Sequence, residues 1–278
     1  MSVNFDDQLS TLETLVAEIS ELRETKRDES DLEQRMTELN AQVTTVQDTV
    51  ASVEEQRKSL QRWIALAEEI NESANSRSEF SIDPVEINRA EIQDTLDGLR
   101  EQLQRIMQLS VSGVSTEEDI PDPDLVQEIA SALQECRKEL QSQTDSIRTA
   151  VQDRCGTLIT NSVEPKQTAL QIPDVGSRED ERSLQHFKEY LQGVRDTDSI
   201  TQTSVDAWAQ QLEQYSAVEI TLDTVQDRYG LSDEAIGVVE SLLNDTEVTL
   251  GDVSAEVFTD LQELDEFSEK IQFRFTES

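Results

Sequence analysis

The feature that most constrains this chain is an unbroken apolar series between Leu32 and Ala67. Leu32, Met36, Leu39, Val43, Val46, Val50, Val53, Leu60, Ile64 and Ala67 follow one another in steps of four and three, with one polar slot, Arg57. Neither Pro nor Gly interrupts the run. A repeat averaging 3.5 residues keeps a narrow apolar stripe on one side of an α-helix, and another helix has to cover it. The spacing predicts a helix over 30–73, about 65 Å long. Its cover is either the rest of the chain folded back antiparallel or a second copy in a parallel dimer. Leu32, Met36, Leu39, Val43, Val46, Val50, Val53, Leu60 and Ile64 are accordingly read as an association seam, for a protein partner or for self-association. A charged seam residue such as Arg57 is of the kind that fixes register or partner number.

The remaining helices follow from the same periodicity. Phe5, Leu9, Leu12, Val16 and Ile19 mark a first helix over about 4–26, with Leu15 and Leu22 one residue out of step. That mismatch reads as a slip of the seam. Residues 23–31 contain no apolar side chain, and Ser30 with Glu33 has the spacing of a capping box. The polar stretch 74–84 ends in Pro84 and reads as a loop. A third helix over about 85–109 carries Ile92, Leu96, Leu99, Leu103 and Ile106. After a loop with Gly113, Pro121 and Pro123, a fourth helix over about 124–161 carries Leu125, Ile129, Cys136, Leu140, Ile147 and Leu158 on one face, helped by Ala132, Ala150 and Val151.

Pro165, Pro173 and Gly176 in a polar setting place a linker at 165–180, between a long-helix region at 1–164 and a small helical head at 181–278. Two shorter helices open the head, one with Leu184, Phe187, Leu191 and Val194, the other with Val205, Trp208, Leu212 and Tyr215. Three of the chain's five Trp and Tyr residues lie between 181 and 216, which points to a compact core there. Further on, Glu219–Val225 is echoed 28 residues later by Glu247–Val253. The segment from Asp227 to Ile236 reads as helix, Gly230 turn, Ser232 cap and second helix, a layout that resembles a helix-turn-helix. The alternation in 271–275 predicts one short strand. The expected fold is therefore all-α: a long coiled coil or antiparallel helical bundle followed by a small, helix-turn-helix-like C-terminal domain.

Composition narrows the function. The apolar fraction is 35%, below the globular norm of about 45–50%, and suits long helices that bury thin stripes. The net charge is −37, from 60 acidic and 23 basic residues, and lysine is scarce. This balance, with many Thr and Val, resembles the composition of proteins from salt-in halophilic archaea. The physics agrees, because molar salt shortens the screening length to about 3 Å and relieves carboxylate repulsion. Cys136 and Cys155 lie 19 residues apart on one predicted helix, too far to pair, and read as free thiols of a reducing cytoplasm. No leader is expected from the first nine residues, and no run is apolar enough to span a bilayer.

Site chemistry is sparse. His186 is the single histidine and has no second ligand nearby in sequence for a metal or a triad. The pairs Glu54-Glu55, Glu68-Glu69, Glu117-Glu118 and Asp265-Glu266 read as solvated helix faces, and neither 117–119 nor 122–124 has calcium-loop spacing. The eight glycines form no phosphate loop. The basic clusters Arg23, Lys26, Arg27 and Arg57, Lys58, Arg62 read as partners for acids three or four residues away. Residues 218–278 hold 16 acidic and three basic residues, the wrong sign for neutralising phosphates. No cofactor is expected. The functional expectation is a non-enzymatic coiled-coil interaction or scaffold protein of a halophile's cytoplasm. The alternatives are an accessory subunit of a DNA-processing or phage-defence complex, or a helix-turn-helix transcription regulator.

Overall fold

A computed structural model of the chain describes residues 5–25, 30–76, 83–108, 123–172, 175–243, 248 and 253–262. The fold is all-α, and no strand occurs among these residues. The helices are α1 (Phe5–Thr25), α2 (Ser30–Ser76), α3 (Arg89–Gln108) and α4 (Pro123–Leu158), then a π-helical turn, Ile159–Val163. After it come α5 (Glu164–Leu170), α6 (Arg178–Arg195), α7 (Gln202–Ser216), α8 (Leu222–Tyr229), α9 (Asp233–Leu243) and α10 (Ala255–Gln262). The expected strand at 271–275 and the continuity of α1 with α2 lie outside the described residues. No described helix is long and apolar enough to cross a membrane.

The chain forms two compact units, residues 1–65 with 86–149, and residues 66–85 with 150–278. Two of the divisions fall inside α2 and α4, rather than at the linker expected over 165–180. That stretch is instead built into the second unit: Lys166, Ala169, Ile172 and Val175 are buried.

In the first unit, α1 packs on α3, and α3 runs antiparallel to α4. Gln143 Nε2 donates to Thr95 Oγ1 at 2.8 Å, and Arg105 Nη2 donates to Glu128 Oε1 at 2.9 Å. Between these pairs Gly98 faces Cys136, whose Sγ would lie 4.0 Å from an added Cβ. Residue numbers rise on α3 as they fall on α4 across these three pairs, 95 with 143, 98 with 136 and 105 with 128. The seam of α2 is closed inside this unit: Leu39, Val43, Val46, Val50 and Val53 are 0% exposed and Leu60 is 1% exposed.

Burial corrects three seams. In α1 the buried residues are Leu12, Leu15 and Ile19, with Val16 half-buried, so over 12–19 the core takes Leu15 in place of Val16; the side chains of Phe5 and Leu22 lie outside the described part. In α2, beyond Leu60, the buried set is Trp63, Leu66, Ala67, Ile70 and Ser73, and Ile64 is half-buried. A stripe this wide faces more than one neighbour. In α4, Val126, Leu133 and Cys155 are buried beside the expected Val151, with the polar Gln143 and Thr144, whereas Leu125 and Cys136 are half-buried.

In the second unit, α6 packs on α7 around Phe187, whose ring lies 4.8 Å from Tyr215 and 6.1 Å from Trp208, centroid to centroid. Trp208 Nε1 donates to Ser73 Oγ at 3.0 Å, and Asn71 grips the backbone of Val85 with both ends of its amide. The last helices share a smaller core of Ala169, Ile172, Val175, Val225, Leu231, Ala235, Val239 and Val257. Caps define the helix starts. Ser177 and Asp180 form a capping box on α6, Thr201 caps α7, and Thr221 and Thr224 form a box on α8.

Candidate functional sites: a cleft beside the π-helical turn and an acidic helix pair

Pro165 sets the geometry of the first site. A proline lacks the N–H an α-helix needs, and its ring clashes with the carbonyl four residues back. The break expected from sequence does not occur: the helix widens by one residue over Ile159–Val163, so that the Glu164 N–H bonds the Ile159 carbonyl. Such turns recur at functional positions. Pro165 becomes the second residue of α5, where a missing N–H costs little.

The turn sets α5 beside α6. Lys188 Nζ clamps the two, reaching Glu164 Oε1 and Gln167 Oε1, each at 3.1 Å. Deeper in, Lys166 is 5% exposed. Its Nζ donates to the Val218 carbonyl and lies 4.3 Å from the centre of the Tyr215 ring. The Tyr215 hydroxyl donates to the Ser162 carbonyl within the π-helical turn, at 3.2 Å. Gly176 completes the packing: a Cβ there would overlap Leu170 Cδ2 and crowd Ile220 Cδ1.

Between α5 and α6 opens a cleft of about 770 Å3. From α5 it is lined by Gln167 and Leu170, and from the residue that caps α5 by Gln171. From α6 come Arg178, Arg182 and His186, with Glu181, Gln185 and Glu189 alternating among them. Gln185 Nε2 donates to Glu189 Oε1 at 2.8 Å. The histidine read from sequence as a plain surface residue is exposed and lines this cleft.

The helix-turn-helix-like segment is the second site. Gly230 ends α8 in the left-handed region at φ 67°, which a side chain would strain. Ser232 Oγ accepts from the Ala235 N–H and donates to Asp260 Oδ2 on α10, which also takes the Ser232 N–H at 3.0 Å. These bonds from Ser232 hold the Asp260 carboxyl below the usual aspartate range. The exposed face of α9 presents Asp233, Glu234 and Glu240 and no Lys or Arg.

The other residues singled out from sequence are spent on structure. Arg57 grips Glu54 of its own helix through Nε and Nη2, both at 2.9 Å, and Lys58 reaches the same carboxylate at 3.2 Å. Burial raises the Glu54 pKa, but bonds from Arg57 and Lys58 outweigh it and the net direction is down. Burial pushes the Cys155 thiol up to about 12, only partly countered by Arg195, and raises Cys136 as well. Both thiols are free. Among the described residues no group of three or more His, Cys, Asp or Glu side chains is placed to hold a metal ion. The side chains of Leu32, Met36 and Arg23 lie outside the described part, as do Lys26, Arg27, Glu117–Glu118 and Asp265–Glu266.

The sequence showed no sign of the cleft. Its cations stand four residues apart on α6, a spacing common to any helix, and the π-helical turn that opens the groove has no sequence signature beyond Pro165. Comparison with known protein families, with curated proteins and with solved structures finds no match.

Proposed function

We propose that this chain is a non-enzymatic helical interaction or scaffold protein, adapted to the salt-rich cytoplasm of a halophile, whose C-terminal helices dock on a protein partner. The observation that carries the reading is the exposed face of α9. It sits where a helix-turn-helix would place its reading helix, yet Asp233, Glu234 and Glu240 make it acidic. Phosphates repel such a face, while a basic protein surface complements it. The long apolar seams support the same view, since they are used to build the helical frame.

The test is co-purification of the full chain from its native host in molar salt, beside a variant with Asp233, Glu234 and Glu240 changed to Lys. A stoichiometric protein partner that the variant loses supports the reading. A partner retained equally by both, or DNA retained by the wild-type chain in a mobility shift, contradicts it. Architecture keeps a second reading in play, because the α8–Gly230–α9 layout also suits an accessory subunit of a DNA-processing or defence complex. Recovery of an ATPase or nuclease as that partner distinguishes it.

A further inference from the structure

We propose that the cleft between α5 and α6 binds a small phosphate-bearing molecule, with the phosphate held by Arg178, Arg182 and His186. The argument begins with charge. In a chain with 60 acids and 23 bases, a cation normally finds a carboxylate nearby, as Arg57, Arg105 and Arg148 do. Arg178 and Arg182 do not: among the described residues neither has a hydrogen-bond or ion-pair partner, although Glu179 and Glu181 are close in sequence. Both point along the same helix face as His186, at intervals of four residues, and all three line one cavity. Four residues of helix rise about 6 Å, a span that one phosphate group can bridge between two guanidinium forks.

The remaining lining fits the same ligand. Gln167 on α5 and Gln171 at its C-terminal cap bring carboxamides, and a tetrahedral oxyanion has more acceptor sites to meet them than a planar carboxylate has. Leu170 adds one apolar patch for the rest of the molecule. The cleft volume of about 770 Å3 lies within the roughly 300–1,000 Å3 of small-molecule sites. The end of α6 is a separate matter, because Asp180 already occupies it through the capping box with Ser177. Gln185 bonds Glu189 but leaves its charge in place, so Glu181 and Glu189 are the two carboxylates that oppose a bound phosphate, and Arg178, Arg182 and the carboxamides have to outweigh them.

His186 is the chain's only histidine, so its ring proton resonances are assigned without ambiguity. The experiment follows them by NMR at fixed pH, in the full chain in molar KCl, as inorganic pyrophosphate is added, with citrate as the carboxylate arm. The expected result is a saturable shift with pyrophosphate, weakened at least about tenfold in the double variant R178Q/R182Q and tightened in E181Q. Citrate should bind at least about tenfold more weakly. No saturable shift, an unchanged affinity in R178Q/R182Q, no tightening in E181Q, or citrate binding as well as pyrophosphate each overturns the proposal. The E181Q arm stands even if the double variant fails to fold.

Discussion

Single side chains show how this acidic chain hides polar groups in a thin core. Ser73 is 9% exposed, although the apolar spacing marks it only as the end of a helix. Its hydroxyl donates to the Glu69 carbonyl at 2.7 Å and accepts the indole N–H of Trp208, 135 residues away. Sequence periodicity marks where an apolar side chain must go, but carries no signal that a serine will meet a distant tryptophan. The same holds for Lys166, whose charge argues for the surface and whose Nζ ends against a buried carbonyl and an aromatic face. Ser73→Ala leaves the Trp208 N–H buried without that acceptor. It should lower stability by about 1–3 kcal/mol in denaturant unfolding, whereas Ser73→Thr, which keeps the hydroxyl, should cost less. Equal stability of Ser73→Ala and wild type would remove the hydroxyl from the account.

Among the elements, those with strong periodicity were legible and those shaped by backbone chemistry were not. α2, α3, α6 and α7 fall where the apolar spacing put them, because a helix that buries one stripe writes that stripe into its sequence. The faces drifted where a helix meets several neighbours, as Val126 and Leu133 in place of Leu125 show on α4. Pro165 read as a stop because a proline usually ends a helix, whereas the π-helical turn absorbs it. The α8–α9 turn was readable, since Gly230 and Ser232 each serve the local geometry they suggest. What the sequence did not show is that Asp260 of α10 secures that turn. Its folded pKa lies below the ordinary aspartate value of 3.8. The ionised form therefore favours the folded state fully above that value, and the advantage fades as pH falls through the folded pKa. Asp260→Ala should destabilise the α9–α10 pairing at neutral pH, and its deficit relative to wild type should narrow in acid. Amide hydrogen exchange at Ser232 and Ala235 checks this, and a deficit independent of pH would contradict it.

At the level of the whole molecule, charge and the seam pull in opposite directions. Repulsion within a chain of net charge −37 opposes compaction, and the seam drives it. Screening shifts that balance, so stability should rise steadily from dilute buffer to molar KCl. Sequence alone left open whether the seam joins two chains or closes within one, because a heptad stripe looks the same in both. In the structure the chain's own helices cover it. The most direct measurement is light scattering combined with circular dichroism in molar KCl, on the wild type and on the double variant Val46→Asp, Val50→Asp. Both positions are 0% exposed. Two carboxylates there have no water to meet, and burying either costs several kcal/mol, on the order of the stability of a whole domain. The account predicts a wild-type mass of 31.4 kDa and a variant that loses helical signal without a change of association state. A wild type of twice that mass, falling to 31.4 kDa in a variant whose helical signal is intact, would contradict it.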